Sequence, residues 1–182
     1  MKKLNVNTLE TAPAESRAIL EQVQKNMGFI PNLFGIFSNN PEVLKSYLSL
    51  GESFSKAGFT PLEQQIILMT VSRENSCEYC VAAHSTISLM SKLDEKIIAQ
   101  LRSGFKLEDA KLEALRTFTV RVTSARGWVD SSDVEAFLKA GHTDSQVLGV
   151  ILGVTMKTLS NYVNHVSATP LDEAFKPMAW SK

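Results

Sequence analysis

The chemistry in this chain is concentrated in one turn of sequence, Cys77-Glu78-Tyr79-Cys80, followed four residues later by His84. These are the only two cysteines among 182 residues. A bridge between them closes so short a loop that it adds little chain-entropy stabilisation, so they are not there to staple the fold. On a helix beginning near Cys77, the cysteines stand at i, i+3 and Cys80 and His84 at i, i+4, which puts all three on one face. That spacing lets the sulfurs form a disulfide with little backbone movement. A thiol at a helix N-terminus also feels the positive end of the helix dipole, which favours thiolate. His84, as an imidazole with an ordinary pKa of about 6.5, is suited to take a proton from the Cys80 thiol or give one to a leaving alkoxide. A nucleophile, a resolving thiol and an acid/base are all present.

The same residues have two other uses to weigh. Cys77, Cys80 and His84 could supply three zinc ligands, with His142, His165 or a carboxylate as the fourth. A second cysteine pair or a paired histidine motif would strengthen that use, and the sequence has neither. Alternatively the cysteines are small buried hydrophobes and His84 a satisfied core histidine. A c-type haem is excluded, because Val81 stands where the haem-attachment signature needs histidine.

The elements that must position this motif read as helices separated by strong punctuation. Ala14 to Met27 carries a stripe of Ile19, Leu20, Val23 and Met27, with Gly28 as C-cap. Phe29 to Ser38 reads as an apolar connector with room for one helical turn. Asn40-Pro41 opens a helix closed by Gly58, and Thr60-Pro61-Leu62-Glu63 is a capping box that opens the helix leading to the cysteines. Ser76 is the expected cap of the motif helix, which runs to about Met90. Further helices are expected over Asp94–Arg102, Glu108–Arg126, from a capping box at Ser132–Glu135 to Gly141, and from a second box at Thr143–Gln146 to His165. Gly153 in that last helix marks close packing. No stretch alternates apolar and polar residues as a strand does, so the fold class is all-α, a single-domain helical bundle over 1–182 with its core at about 30–170.

Lys and Arg total 19 and Asp and Glu total 19, giving no net charge. With no basic cluster, nucleic acid is not an expected partner. The N-terminal Lys2 and Lys3 have no apolar run behind them, and no stretch reaches the length of a membrane span, so a cytoplasmic protein without membrane contact is expected. Gly149 and Gly153 are too sparse for a phosphate loop, so no nucleotide cofactor is implied. Trp128, Trp180 and the cluster Phe29, Phe34 and Phe37 read as core or subunit contacts, although aromatics near the cysteines could line an organic-peroxide pocket.

From Thr60 to Ser85 the chain reads TPLEQQIILMTVSRENSCEYCVAAHS, and this segment resembles the core of the alkylhydroperoxidase D-like proteins within the carboxymuconolactone decarboxylase family. The segment Asn161-Tyr162-Val163-Asn164-His165, followed by Thr169-Pro170-Leu171-Asp172, is similar to the C-terminal region of peroxidase-related members. Together the resemblance spans most of residues 30 to 175. It implies an all-helical homo-oligomer that acts as a thiol-dependent hydroperoxide reductase or disulfide oxidoreductase with an antioxidant role, and it implies no cofactor and no metal. Carried over, Cys80 is peroxidatic and Cys77 resolving, and a dithiol reductant, either lipoyl or a thioredoxin-like protein, restores them. The residues agree with this division, since His84 lies one turn from Cys80, while Cys77 at the helix start is better placed to meet an external thiol. The family's relay glutamate falls at Gln65, which cannot shuttle a proton, and the histidine that some members carry between the cysteines is Tyr79. Glu63, already used in a capping box, and Glu74, near a helix end, are the nearest carboxylates. His165 is a candidate replacement acid/base, or a polar residue at a helix terminus. Two other functions remain open: a lactone decarboxylase or isomerase, whose activity would survive loss of both cysteines, and a redox-sensing oligomeric module that oxidises without turnover.

Overall fold

Cap residues fix where each helix begins, and the computed structural model, which describes residues 4–182, bears this out for most of the chain. Among these residues are nine α-helices: α1 (Ala14–Met27), α2 (Asn32–Phe37), α3 (Pro41–Ser55), α4 (Pro61–Glu74), α5 (Glu78–Met90), α6 (Glu95–Ser103), α7 (Ala110–Ser124), α8 (Ser131–Lys139) and α9 (Asp144–Ser167). A 3-10 helix at Glu173–Met178 follows, and the described residues contain no strand. Lys2 and Lys3 lie outside the described residues.

Asn40 accepts from the Glu42 and Val43 backbone N–H groups, and Thr60 and Thr143 form reciprocal capping boxes with Glu63 and Gln146, satisfying N–H groups that a helix start leaves orphaned. Two starts differ from the sequence expectation. Asp130, not Ser132, is the N-cap of α8, and its N–H donates to the Asp133 carboxylate at 3.3 Å. Cys77, not Ser76, is the N-cap of α5. Ser76 instead takes a left-handed conformation (φ 54°) that turns the chain out of α4, and the Cys77 N–H donates back to the Ser72 carbonyl at 2.8 Å. The corner is therefore tight, which holds both cysteines against the C-terminal end of α4. The connector before α3 is also more ordered than expected, since Asn32–Phe37 forms a helix.

Helix α4 is the centre of the bundle and packs against α5, α7 and α9. One apolar cluster gathers Phe54, Ile66, Ile67, Met69, Leu115, Phe118 and Phe137 on one side of it. A second gathers Leu20, Leu33, Phe37, Leu44 and Phe175 around Cys77, Tyr79 and Cys80. Helix α9 reaches both because it has glycine where its neighbours press closest. A Cβ on Gly153 would stand 2.7 Å from Phe54 Cε2 and 2.8 Å from Ile67 Cγ2, and one on Gly149 would stand 2.7 Å from Phe59 Cε2. The buried face of α9 is small and polar, including Gly149, Gly153, Lys157, Ser160, Asn161 and Asn164, while Leu148, Ile151, Tyr162 and Val166 are exposed on the other side. No helix is long and apolar enough to cross a membrane among the described residues.

Candidate functional site

The α4–α5 corner delivers Cys77 and Cys80 into the second apolar cluster, where both are buried free thiols. The 3-10 helix straps across α5. Phe175 meets the Tyr79 ring edge-on at 5.9 Å between centroids, and the Tyr79 hydroxyl donates to Asp172 Oδ2 at 2.5 Å. Asp172 also accepts from the Asn32 backbone N–H at 3.0 Å, which ties the start of α2 to the strap. Burial first, and then the hydrogen bond to Asp172, push the Tyr79 hydroxyl well above its ordinary value. Tyr79 is thus a neutral structural donor rather than a proton shuttle.

His84 is buried between two partners. Its Nδ1 lies 2.9 Å from Gln65 Oε1 and its Nε2 lies 3.0 Å from Lys157 Nζ. An ammonium has donors only, so Nε2 must accept and the proton must sit on Nδ1, where it is donated to Gln65 Oε1. Burial, and next the Lys157 charge, drive His84 well below the ordinary imidazole value. It is a neutral ring with both nitrogens engaged.

Lys157 is the residue that sequence reasoning missed. It is 1% exposed, and no ion pair among the described residues gives it a carboxylate partner. A lone buried ammonium is strongly disfavoured, and it persists only with a compensating anion. Cys80, on the wall of the same cavity as Lys157, is the group placed to supply that anion. Burial acts to raise the Cys80 thiol, but a hydrogen bond from the Cys77 thiol, the Lys157 charge and the Asn164 amide outweigh it and leave Cys80 below the ordinary thiol value. Lys157 responds in kind. Burial would lower it, and the Cys80 charge, followed by Tyr47 and Cys77, more than offsets that and leaves it above the ordinary lysine value. Cys77 moves the other way, held as a thiol first by its hydrogen bond to Cys80 and then by burial. Asn164 Nδ2 donates to Cys80 Sγ at 3.2 Å and lies 3.7 Å from Cys77 Sγ. Asn161 is locked in turn by Asn75, whose Nδ2 donates to its Oδ1 at 2.9 Å.

The sulfur of this pair opens on a cavity of about 140 Å³ whose lining is mainly apolar, including Leu33, Phe34, Tyr47, Ile87 and Phe175, with His84 and Lys157 as its polar wall. This arrangement does not suit a metal. Both His84 nitrogens are taken, and the ammonium beside the thiolate would repel a cation. Among the described residues no group of three or more histidine, cysteine and acidic side chains forms a metal cluster. Of the candidates read from sequence, Cys77, Cys80, His84 and Gln65 come together. His165 is exposed, beside Cys77 but on the far side from the cavity. Glu63 serves the α4 capping box, and Glu74 pairs with Arg73 at 3.3 Å.

This geometry has counterparts among solved structures. A peroxidase-related protein from Ralstonia eutropha JMP134, described as an alkylhydroperoxidase AhpD core, superposes with a TM-score of 0.85 at 23% identity, over 95% of this chain and 93% of its own. The chain has the alkylhydroperoxidase D-like fold. A second peroxidase-related protein, from Silicibacter sp. TM1040, gives 0.82 at 20% identity over 94% of this chain and 91% of its own. The debrominase Bmp8, in complex with 2,3,4-tribromopyrrole, gives 0.76 at 14% identity over 97% of each chain. No protein-family profile and no curated protein matches the sequence. Likeness at these identities establishes the alkylhydroperoxidase D-like fold, and the neighbours' differing names show that one fold carries differing chemistry.

Proposed function

We propose that this protein is a thiol-dependent hydroperoxide reductase with Cys80 as the peroxidatic thiolate, Cys77 as the resolving thiol and a dithiol as the reductant. One observation carries the proposal: a cysteine paired with a buried lysine at the wall of an apolar cavity sized for a small organic substrate. Cys80 attacks one peroxide oxygen, the O–O bond breaks, and the leaving alkoxide takes a proton from Lys157, the cation on the cavity wall. His84, as the neutral Nδ1–H tautomer, cannot donate from the nitrogen that faces Lys157, so its role is to aim that ammonium. Cys77 then attacks the Cys80 sulfenic acid, and its thiol proton leaves with the hydroxide as water. The incoming dithiol returns one proton to Cys77 and one to Lys157 as it becomes a disulfide, which restores the starting state.

The test is a free-thiol count on reduced protein before and after cumene hydroperoxide, followed by turnover with dithiothreitol. Two thiols lost together in the wild type, with Cys77 left reduced in Cys80→Ser, is the expected result. Thiols that resist peroxide refute the proposal.

A further inference from the structure

Five side chains lining the Cys80 cavity carry a thiol or a hydrogen-bond donor: Tyr47, Tyr79, Cys80, His84 and Lys157. Four of them are committed. The Tyr79 hydroxyl donates to Asp172 and accepts from the Leu33 N–H at 3.3 Å, and both His84 nitrogens are engaged. Lys157 gives one N–H to His84 Nε2 and balances the charge of Cys80, the attacking sulfur. Tyr47 differs from the rest: among the described residues its hydroxyl has no hydrogen-bond partner, and it is not closed over by protein. Its ring is nevertheless held, with the Phe37 centroid at 4.6 Å and Phe34 edge-on at 5.9 Å. After Cys80, Tyr47 is also the side chain that acts most on the Lys157 ammonium, which puts the phenol toward the polar wall. A held ring with an uncommitted hydroxyl needs no reorganisation to donate to a ligand.

Resting on the peroxidatic role proposed for Cys80, we infer that Tyr47 is a further catalytic residue, whose hydroxyl donates a hydrogen bond to the peroxide oxygen that leaves. The need for it follows from the reaction. The Cys80 thiolate attacks the terminal oxygen, the S–O bond forms, the O–O bond breaks, and the electron pair leaves on the oxygen attached to carbon. Cys80 keeps the terminal O–H as a sulfenic acid, Lys157 gives its proton to the alkoxide, and Tyr47 keeps its own. In the bound hydroperoxide the departing oxygen is a weak acceptor, and as the bond breaks it becomes a strong one. A donor fixed beside it therefore acts mainly on the transition state. Lys157 cannot do this alone without cost, because one of its N–H groups stays on His84 while the cavity around it is mainly apolar. An oxyanion in such surroundings is strongly disfavoured unless it is hydrogen-bonded. Tyr79 cannot help, since its hydrogen goes to Asp172. Tyr47 supplies the second hydrogen bond, and that bond strengthens with the charge on the acceptor. The pair Lys157 and Tyr47 thus fits the cavity to hydroperoxides that release a strongly basic alkoxide.

The test is Tyr47→Phe, which keeps the ring beside Phe37 and removes only the hydroxyl. Oxidation of Cys80 is followed by quenched flow and mass mapping with cumene hydroperoxide and with peracetic acid, whose carboxylate leaving group is far less basic. Iodoacetamide alkylation of Cys80 reports the thiolate itself. Loss of one oxyanion donor costs about 10²–10³ in rate where no acid delivers a proton to the same oxygen. With Lys157 still in place, a loss of about tenfold is expected with cumene hydroperoxide, under about threefold with peracetic acid and under about twofold with iodoacetamide. An unchanged rate with cumene hydroperoxide overturns the inference. So does a loss equally large with peracetic acid or iodoacetamide, because a merely structural role moves all three together. If the wild-type thiols resist both peroxides, it is the peroxidase proposal that fails, and calorimetric binding of cumyl alcohol then decides the donor. A Kd weakened about fivefold in Tyr47→Phe keeps the assignment, and an unchanged Kd overturns it.

Discussion

Lys157→Met removes the cation that shares the cavity wall with Cys80 while keeping the length and most of the volume of the side chain. A unit charge at contact distance, about 4 Å, is worth about 4 kcal/mol at an effective dielectric of about 20. That corresponds to about three pK units at about 1.4 kcal/mol per unit. Burial, the first influence on Cys80, would then act against only the Cys77 thiol and the Asn164 amide. Cys80 is expected to rise by those three units from about 5 to near the ordinary thiol value, and the thiolate present at neutral pH to fall roughly tenfold. Thiolate absorbance near 240 nm against pH, together with the iodoacetamide alkylation rate of Cys80 resolved by mass mapping, reads this directly. Stability sets the control. Losing the ammonium lets Cys80 become a neutral thiol, so both desolvated charges vanish together, and replacement of a buried pair by apolar groups is often neutral or stabilising. Against that, buried His84 Nε2 loses its donor, at a cost of about 1–3 kcal/mol, so the variant should melt within a few degrees of wild type at neutral pH. A midpoint for Cys80 that stays within about half a unit of wild type in a folded Lys157→Met protein refutes the ion-pair argument, and with it the assignment of Lys157 as proton source.

The other expectations concern the groups around that pair. An unfolded histidine binds a proton below about 6.5, and buried His84 does not, so stability present above that pH is lost as pH falls toward the depressed folded value. Urea unfolding should show up to about 1.4 kcal/mol lost per pH unit from this source, and His84→Gln should flatten that slope. Gly153→Ala would gain about 1 kcal/mol of helix propensity, but its Cβ meets Phe54 and Ile67 below 3 Å, so a net loss of about 1–3 kcal/mol is expected in denaturant titration. Tyr79→Phe removes the donor to buried Asp172 and should cost about 1–3 kcal/mol, seen as a lower melting temperature. Gln65→Glu should raise His84 and slow the reaction of Cys80 with peroxide in the wild type, yet restore part of the rate in Lys157→Met. A rate increase from Gln65→Glu in the wild type would contradict the hydrogen-bond directions assigned here.

The helices were legible because their signals are local. Thr60, Asn40 and Thr143 announce helix starts through side chains that reach only two or three residues, and the Cys-x-x-Cys-x-x-x-His spacing needs nothing but helical periodicity. Cap choice was less legible where two candidates compete. Ser76 lost the cap position because the corner after α4 needs one left-handed residue, and Ser76 is the residue that turns. Lys157 was invisible for a different reason. A lysine on a long helix reads as a solvated residue unless the helix is recognised as inverted, with its small and polar side inward. The clue was present: Gly149, Gly153, Ser160 and Asn164 share a stripe with Lys157, and Leu148, Ile151, Tyr162 and Val166 lie off it. Periodicity finds a face but does not say which face is buried when the packing partner is a second polar site. That the stripe meets the cysteines, 80 positions away from Lys157 in the case of Cys77, is a fact of tertiary structure alone.

The presence of glutamine at position 65 and lysine at position 157 follows from a single constraint. The chain Gln65–His84–Lys157–Cys80 has a defined direction of donation: Lys157 gives to His84 Nε2, and His84 Nδ1–H gives to Gln65 Oε1. A carboxylate at 65 would draw a second proton onto His84, and the resulting imidazolium could no longer accept from Lys157. Two cations would then share a buried site with one thiolate. A neutral amide accepts the Nδ1 hydrogen without that consequence. Conversely, without Lys157 the site has one anion and no cation, and a carboxylate that charges the imidazole would supply one. A glutamine at 65 therefore suits a site whose permanent positive charge is placed on α9 instead of being generated on the histidine. In the proposed mechanism, proton delivery falls to the ammonium rather than to the ring, and the histidine keeps the ammonium pointed at the sulfur.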